Sequence, residues 1–137
     1  MMNTKYFKKL PAFNLNEMLF TLAIIGILLL LALPRLLPLI SKAKSMEAQI
    51  QLKYLYNLQT QYFYLNSKYA SDFNTLDFEV PLTVKDNGSS NYHYEVIEAN
   101  QGSFIIRAIA ITDFDRDGIM NEWKIDENGS PIQIVKD

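Results

Sequence analysis

From Leu19 to Leu33 (LFTLAIIGILLLLAL) the chain carries no charged side chain, and Thr21 is the one polar member of that run. No other feature restricts the fold as strongly. Counted from Phe13 to Leu33 the apolar stretch is 21 residues long, with Asn14, Asn16 and Glu17 as its polar members near the start. A membrane helix needs ~20 such residues at 1.5 Å of rise each. The run is apolar all round, whereas the helix of a soluble protein is apolar along one stripe. Lys5, Lys8 and Lys9 precede it with no acid among residues 1–12, and the first cation after it is Arg35. The positive-inside rule therefore places the N-terminus in the cytoplasm and the residues beyond about 40 outside. A cleaved secretory signal would instead have a core of ~7–15 residues and a small-x-small cleavage site. Here the core ends in Pro34-Arg35-Leu36-Leu37-Pro38, which is a poor site.

The remaining composition closes off several function classes. The chain has 137 residues and no cysteine, so a disulfide scaffold, a thiolate metal site and a cysteine nucleophile are excluded. A net charge of −2 and a pI near 5.4 argue against nucleic-acid binding, which needs a basic face. His93, the single histidine, leaves little for acid–base catalysis near neutral pH. No enzymatic activity is expected.

Glu17 stands out against this background. A carboxylate at the edge of a lipid-embedded helix costs a few kcal/mol, so it wants water or a partner. One reading places it at headgroup depth, hydrated. The other supplies a cation inside the apolar layer. A chain cut after Ala12 would begin at Phe13, four residues before Glu17, and its new α-amine could meet the carboxylate of a neighbouring copy. Such a pair offsets its desolvation only with good geometry.

Lys8-Lys9-Leu10-Pro11-Ala12, then Phe13-Asn14-Leu15-Asn16-Glu17, then the apolar run to Pro34, resembles the N-terminus of a type IV pilin or pseudopilin precursor. The resemblance implies a short basic leader, cut by a dedicated prepilin peptidase that also N-methylates the exposed phenylalanine. Glutamate stands fifth in such a mature chain and proline usually twenty-second. Phe13, Glu17 and Pro34 meet all three positions. Lys42-Ala43-Lys44-Ser45-Met46-Glu47-Ala48 is similar to the basic-then-Glu-Ala segment of the family. Gln61 to Phe78 resembles the end of the pilin helix and the loop after it. There are departures. Ala12 replaces the usual glycine, Asn14 and Asn16 make the helix start polar, Pro38 adds a second breaker, and the disulfide-bounded loop of the family is absent.

Pro34 and Pro38 each remove a backbone donor and are expected to kink or locally melt the helix, with Gly26 a further weak point. Beyond Pro38, Leu55, Leu58, Tyr62, Leu65 and Tyr69 recur at three- and four-residue steps and predict an apolar helix face against a sheet. Seven aromatics lie between Tyr54 and Phe73. They read as core and filament packing rather than as a path for electrons, because aromatics dominate cores and interfaces.

Four strands follow. Tyr92–Ala99 and Ser103–Ile111 flank Asn100-Gln101-Gly102, a hairpin loop. Glu122–Asp126 and Pro131–Val135 flank a loop containing Asn128-Gly129, a strong hairpin cue. Trp123 reads as a sheet-core anchor. The expected fold is α+β: a long, kinked N-terminal helix on a four-stranded antiparallel sheet. Its segments are a leader (1–12), a transmembrane and polymerisation helix (13–38), an amphipathic helix (39–70) and a sheet domain (71–137).

One segment suggests metal chemistry. Thr112-Asp113-Phe114-Asp115-Arg116-Asp117-Gly118 sets carboxylates at the first, third and fifth positions and glycine at the sixth, as calcium loops begin. The twelfth position, where a glutamate belongs, is Lys124. Glu122 or Asp126 would have to substitute, and the carbonyl of Ile119 could add a ligand. The competing reading is an acidic turn between strands. No cofactor is required, and Ca2+ is the one candidate.

Three functions follow. The leading one is a type IV pilin, processed at Ala12/Phe13, assembled through Glu17 and the helix around Pro34, and displayed for adhesion, motility or DNA uptake. Its partners would be copies of itself, the prepilin peptidase/N-methyltransferase, an assembly platform, minor pilins and the membrane. A pseudopilin of a type II secretion system is the alternative. The third is an uncleaved, membrane-anchored calcium-binding domain.

Overall fold

The computed structural model describes residues 12–136. They form one α-helix, α1 (Leu15–Asn66), a short 3-10 helix (Val84–Asp86), and four strands: β1 (Tyr92–Ala99), β2 (Phe104–Ala110), β3 (Glu122–Asp126) and β4 (Ile132–Val135). The strands make one antiparallel sheet in the order β1-β2-β3-β4. The molecule is α+β, with its long helix packed on this sheet. The chain divides into two compact units at Leu36/Leu37.

In the first unit every residue from Ala12 to Leu36 is exposed. Residues 15–36 rise ~33 Å at 1.5 Å each, which matches a hydrocarbon layer of ~30 Å. The chain thus has a helix long and apolar enough to cross a membrane. The local melting expected at the prolines is absent, because α1 runs unbroken through Pro34 and Pro38. A proline removes one i→i−4 bond and crowds one carbonyl. The leucine-rich turns on either side are good helix formers and hold the backbone helical.

In the second unit the buried helix positions are Ser41, Ser45, Ala48, Leu52, Leu55 and Gln59. They repeat at steps of four and three, so one face is buried. This face differs from the expected stripe beyond Leu55. Leu58 and Tyr62 are half-buried, Leu65 is 85% exposed, and Tyr69 lies outside the helix. The helix ends at Asn66 rather than at 70, because Ser67 takes a left-handed φ of 54° while its N–H still bonds Phe63 O at 2.8 Å.

The sheet supplies the other half of the core. β2 alternates strictly, burying Phe104, Ile106, Ala108 and Ala110. β1 adds Tyr92 and Tyr94, β3 adds Ile125, and the intervening loops add Ala70, Leu76, Phe78 and Phe114. The β1–β2 register shifts between Val96 and Glu98, which leaves Ile97 as the extra residue of a bulge. Tyr56, Tyr62, Tyr69, Phe73 and Trp123 pack against this core, whereas Tyr54 and Tyr64 are exposed.

Both hairpins close through local side-chain chemistry. Asn100 Oδ1 accepts from the N–H groups of Gly102 and Ser103, each at 2.8 Å. In the second hairpin Gly129 has φ +75°, and a Cβ there would sit 2.7 Å from Tyr56 Cζ. Lys53 Nζ donates to Gly129 O at 2.7 Å. The missing side chain is what lets this turn seat against α1.

Candidate functional site

The start of α1 holds the residues that the sequence singles out for processing and assembly. Ala12 and Phe13 are exposed, Phe13 to 79%. Residues 1–11 of the expected leader lie outside the described residues. Asn14 precedes the first helical residue, and its N–H donates to Glu17 Oε2 at 2.9 Å. The carbonyl of Asn14 accepts from Met18 N at 3.1 Å. This is the glutamate half of a capping box, in which a side chain reaches back to an orphan N–H of the first turn. A negative charge in the first turn is also favoured by the helix dipole. Glu17 therefore has a partner within its own chain that the sequence reading overlooked. The signal was present, since Asn14-x-x-Glu17 has the spacing of the motif. Pro34 lies exposed in the body of the helix, 17 residues beyond Glu17 in the sequence.

The acidic loop between β2 and β3 is the second candidate. Asp113, Asp115 and Asp117 each bring a carboxylate oxygen within 4.8 Å of the other two. Backbone geometry makes this convergence, with Arg116 at φ 68° and Gly118 at φ 90°. Asp113 Oδ1 accepts from Arg116 N at 2.5 Å and its Oδ2 from Gly118 N at 2.6 Å. Asp117 Oδ1 accepts from Ile119 N at 2.8 Å. Burial alone raises the Asp113 carboxyl, but the amides of Gly118, Arg116, Asp117 and Asp115 outweigh it and hold the group below the usual carboxylate range.

Glu122 is not part of this cluster. It opens β3, paired with Ile109 on one side and Val135 on the other, which commits its backbone to the sheet. The loop is anchored by Phe114, which is buried. Its ring lies 5.7 Å from that of Tyr92, and Lys44 Nζ stands 4.6 Å above it. Three carboxylates around a glycine turn suit a hard, oxygen-seeking cation. Several of their oxygens already serve backbone amides.

Three polar contacts that the sequence did not reveal hold the second unit in register. Glu47 accepts from Ser90 Oγ (2.9 Å), Asn91 N (2.9 Å) and Asn91 Nδ2 (2.8 Å), tying α1 to the start of β1. Asn121, fully buried, accepts from Tyr92 Oη at 3.0 Å and donates to Ser45 Oγ at 3.3 Å. Gln59, also fully buried, forms a two-way pair with the backbone of Ala70. Burial first, and then the charge of Glu47, push the Tyr94 phenol above its usual range. His93 is exposed on β1. No protein-family model matches the chain, and no curated protein matches it.

Proposed function

We propose that this chain is a type IV pilin: a membrane-held precursor, cut between Ala12 and Phe13, N-methylated at Phe13 and polymerised into a surface filament. The observation that carries the reading is the wholly exposed apolar face of α1 up to Leu36, beginning at the Phe13/Glu17 pair. An apolar surface of that extent needs a cover. The bilayer covers it before assembly, with the N-terminus on the cytoplasmic side. The helices of neighbouring copies cover it afterwards, with the sheet domains facing outward. Glu17 then exchanges its bond to Asn14 N for the α-amine of a neighbour. The partners are other copies, the prepilin peptidase/N-methyltransferase, the assembly platform and minor pilins. The filament serves adhesion, motility or DNA uptake, and the chain itself performs no catalysis. In the same reading the loop of Asp113, Asp115 and Asp117 takes a calcium ion from an extracellular supply, with the carbonyl of Ile119 as a further ligand.

The same acidic loop fits a second reading, a pseudopilin acting within the envelope. Mass spectrometry of the N-terminal peptide separates the readings. Material sheared from the cell surface should yield a peptide beginning with N-methylated Phe13. The same peptide confined to the envelope would select the pseudopilin, and an intact Met1 leader would select an uncleaved anchor. Glu17→Ala should abolish filaments while the protein still inserts in the membrane. Filaments made by that variant would refute the role of Glu17.

A further inference from the structure

Within the second unit, beside β3 and β4, α1 borders a cavity of about 430 Å3. That volume falls in the ~300–1,000 Å3 range of small-molecule sites. Its chemistry is one-sided. Lys42 from α1 and Lys136 after β4 bring two cations. Gln49 and Gln133 add amides, and Ser41 adds a hydroxyl. No acid is present among the described lining residues, although the whole chain has 15 acids against 13 Lys and Arg. A site lined this way in an acidic protein selects an anion. Ser45 also borders the cavity, with its hydroxyl already bonded to Asn121. Pro38, Leu39 and Trp123 make an apolar wall, so the anion should carry a carbon skeleton.

The place of the cavity along the chain narrows the choice. Its first helical residue, Pro38, comes two residues after Leu36, where the membrane-length stretch ends. The polar headgroup layer adds ~5–7 Å on each side of a ~30 Å hydrocarbon core. Along a helix rising 1.5 Å per residue, Pro38 lies ~3 Å past Leu36 and inside that layer, and Lys42 lies ~9 Å past it, at the layer's outer edge, where its long side chain can reach back. Lysine and tryptophan are the side chains that favour it.

We propose that this cavity holds the phosphodiester headgroup of an anionic phospholipid. Lys42 and Lys136 neutralise the phosphate. Gln49 and Gln133 offer hydrogen bonds to the phosphate and glycerol oxygens, and Trp123 packs on the glycerol carbons. A choline headgroup is rejected because it brings its own cation to the two lysines. The proposal rests on the membrane-length helix and not on polymerisation. An uncleaved anchor would bind the same lipid, so failure of the filament reading leaves it standing.

Trp123 is the sole tryptophan and lines the cavity, so its emission reports on occupancy. The full chain in a nonionic detergent is titrated with short-chain phosphatidylglycerol, short-chain phosphatidylcholine and sn-glycerol 3-phosphate. Saturable change with phosphatidylglycerol alone is expected. The paired variant Lys42→Gln/Lys136→Gln should bind about 30-fold more weakly, at about fivefold per lysine. Lys42→Arg/Lys136→Arg should retain binding and guards against a folding defect. Lys68→Gln/Lys85→Gln, at two exposed positions that do not line the cavity, should bind as the wild type. An equal response to phosphatidylcholine, or equal weakening by both glutamine pairs, overturns the proposal. An equal response to glycerol 3-phosphate overturns the lipid in favour of a soluble phosphate ester. A change that follows protein concentration without lipid assigns the cavity to a second copy and also overturns it.

Discussion

Replacing Gln59 by leucine should remove about 3 kcal/mol from the stability of the second unit. The Gln59 side chain is fully buried and Ala70 is 2% exposed. Gln59 Oε1 accepts from Ala70 N at 2.8 Å, and its Nε2 donates to Ala70 O at 2.8 Å. The amide thus stands in for the strand partner that this stretch of chain lacks. Leucine has nearly the helix propensity of glutamine, so the helix itself is indifferent. What changes is that two backbone groups lose their partners, at about 1–3 kcal/mol each. Better burial of the leucine returns part of the resulting ~2–6 kcal/mol. For a unit of this size 1 kcal/mol shifts Tm by ~4–8 °C, so the expected loss is on the order of 12–24 °C. Near-UV circular dichroism of the full chain in micelles measures it, and hydrogen exchange at the Ala70 amide locates it. Gln59→Glu refines the test. Its carboxylate can accept from Ala70 N but cannot donate to Ala70 O, whereas the protonated acid can. Its folded pKa should therefore lie above the ordinary ~4.3. The variant is then closest to the wild type below that value, and the deficit grows as pH rises through the folded pKa. Wild-type Tm in Gln59→Leu, with the Ala70 amide still protected, would refute the reasoning.

Gly129→Ala should cost about 1–2 kcal/mol for the left-handed backbone and ~1–3 kcal/mol more for crowding Tyr56, read as a lowered Tm. Adding Tyr56→Ala should remove the crowding part from a double-mutant cycle. The Asp72 carboxyl is held below its usual range, first by the N–H of Thr75 and then by its hydroxyl. Its contribution to stability is present above the ordinary ~3.9 and is lost as pH falls through the lower folded value. Asp72→Asn should accordingly flatten the acid limb of a stability–pH curve. Calcium at 100 times its Kd should stabilise the second unit by about 2.7 kcal/mol, and Asp115→Asn should abolish the shift. No rise in Tm at millimolar calcium would identify the loop as a plain acidic turn.

What could be read in the sequence was local. The strands were legible because side chains on a strand alternate with period two, as Phe104 to Ala110 do. Their ends moved by a residue, with β2 starting at Phe104 and β4 at Ile132. The Asn128-Gly129 turn was legible because few residue pairs tolerate its backbone. The carboxylates at Asp113, Asp115 and Asp117 converge because a six-residue turn brings alternate positions to one side. The helix face was misread where small and polar residues line it. Ser41, Ser45 and Gln59 are buried, yet none belongs to an apolar pattern.

The sequence by itself determined the membrane-length helix, the two hairpins, the acidic turn and, through Asn14 and Glu17, the start of α1. Each is written in residues a few positions apart, where propensity and periodicity act. Only the tertiary structure decided that Glu47 meets Asn91, that Asn121 meets Ser45 and Tyr92, and that Lys42 and Lys136 border one cavity. These partners lie tens of residues apart. A buried polar group takes whichever donor or acceptor the packed chain brings to it, and no local rule names that group in advance.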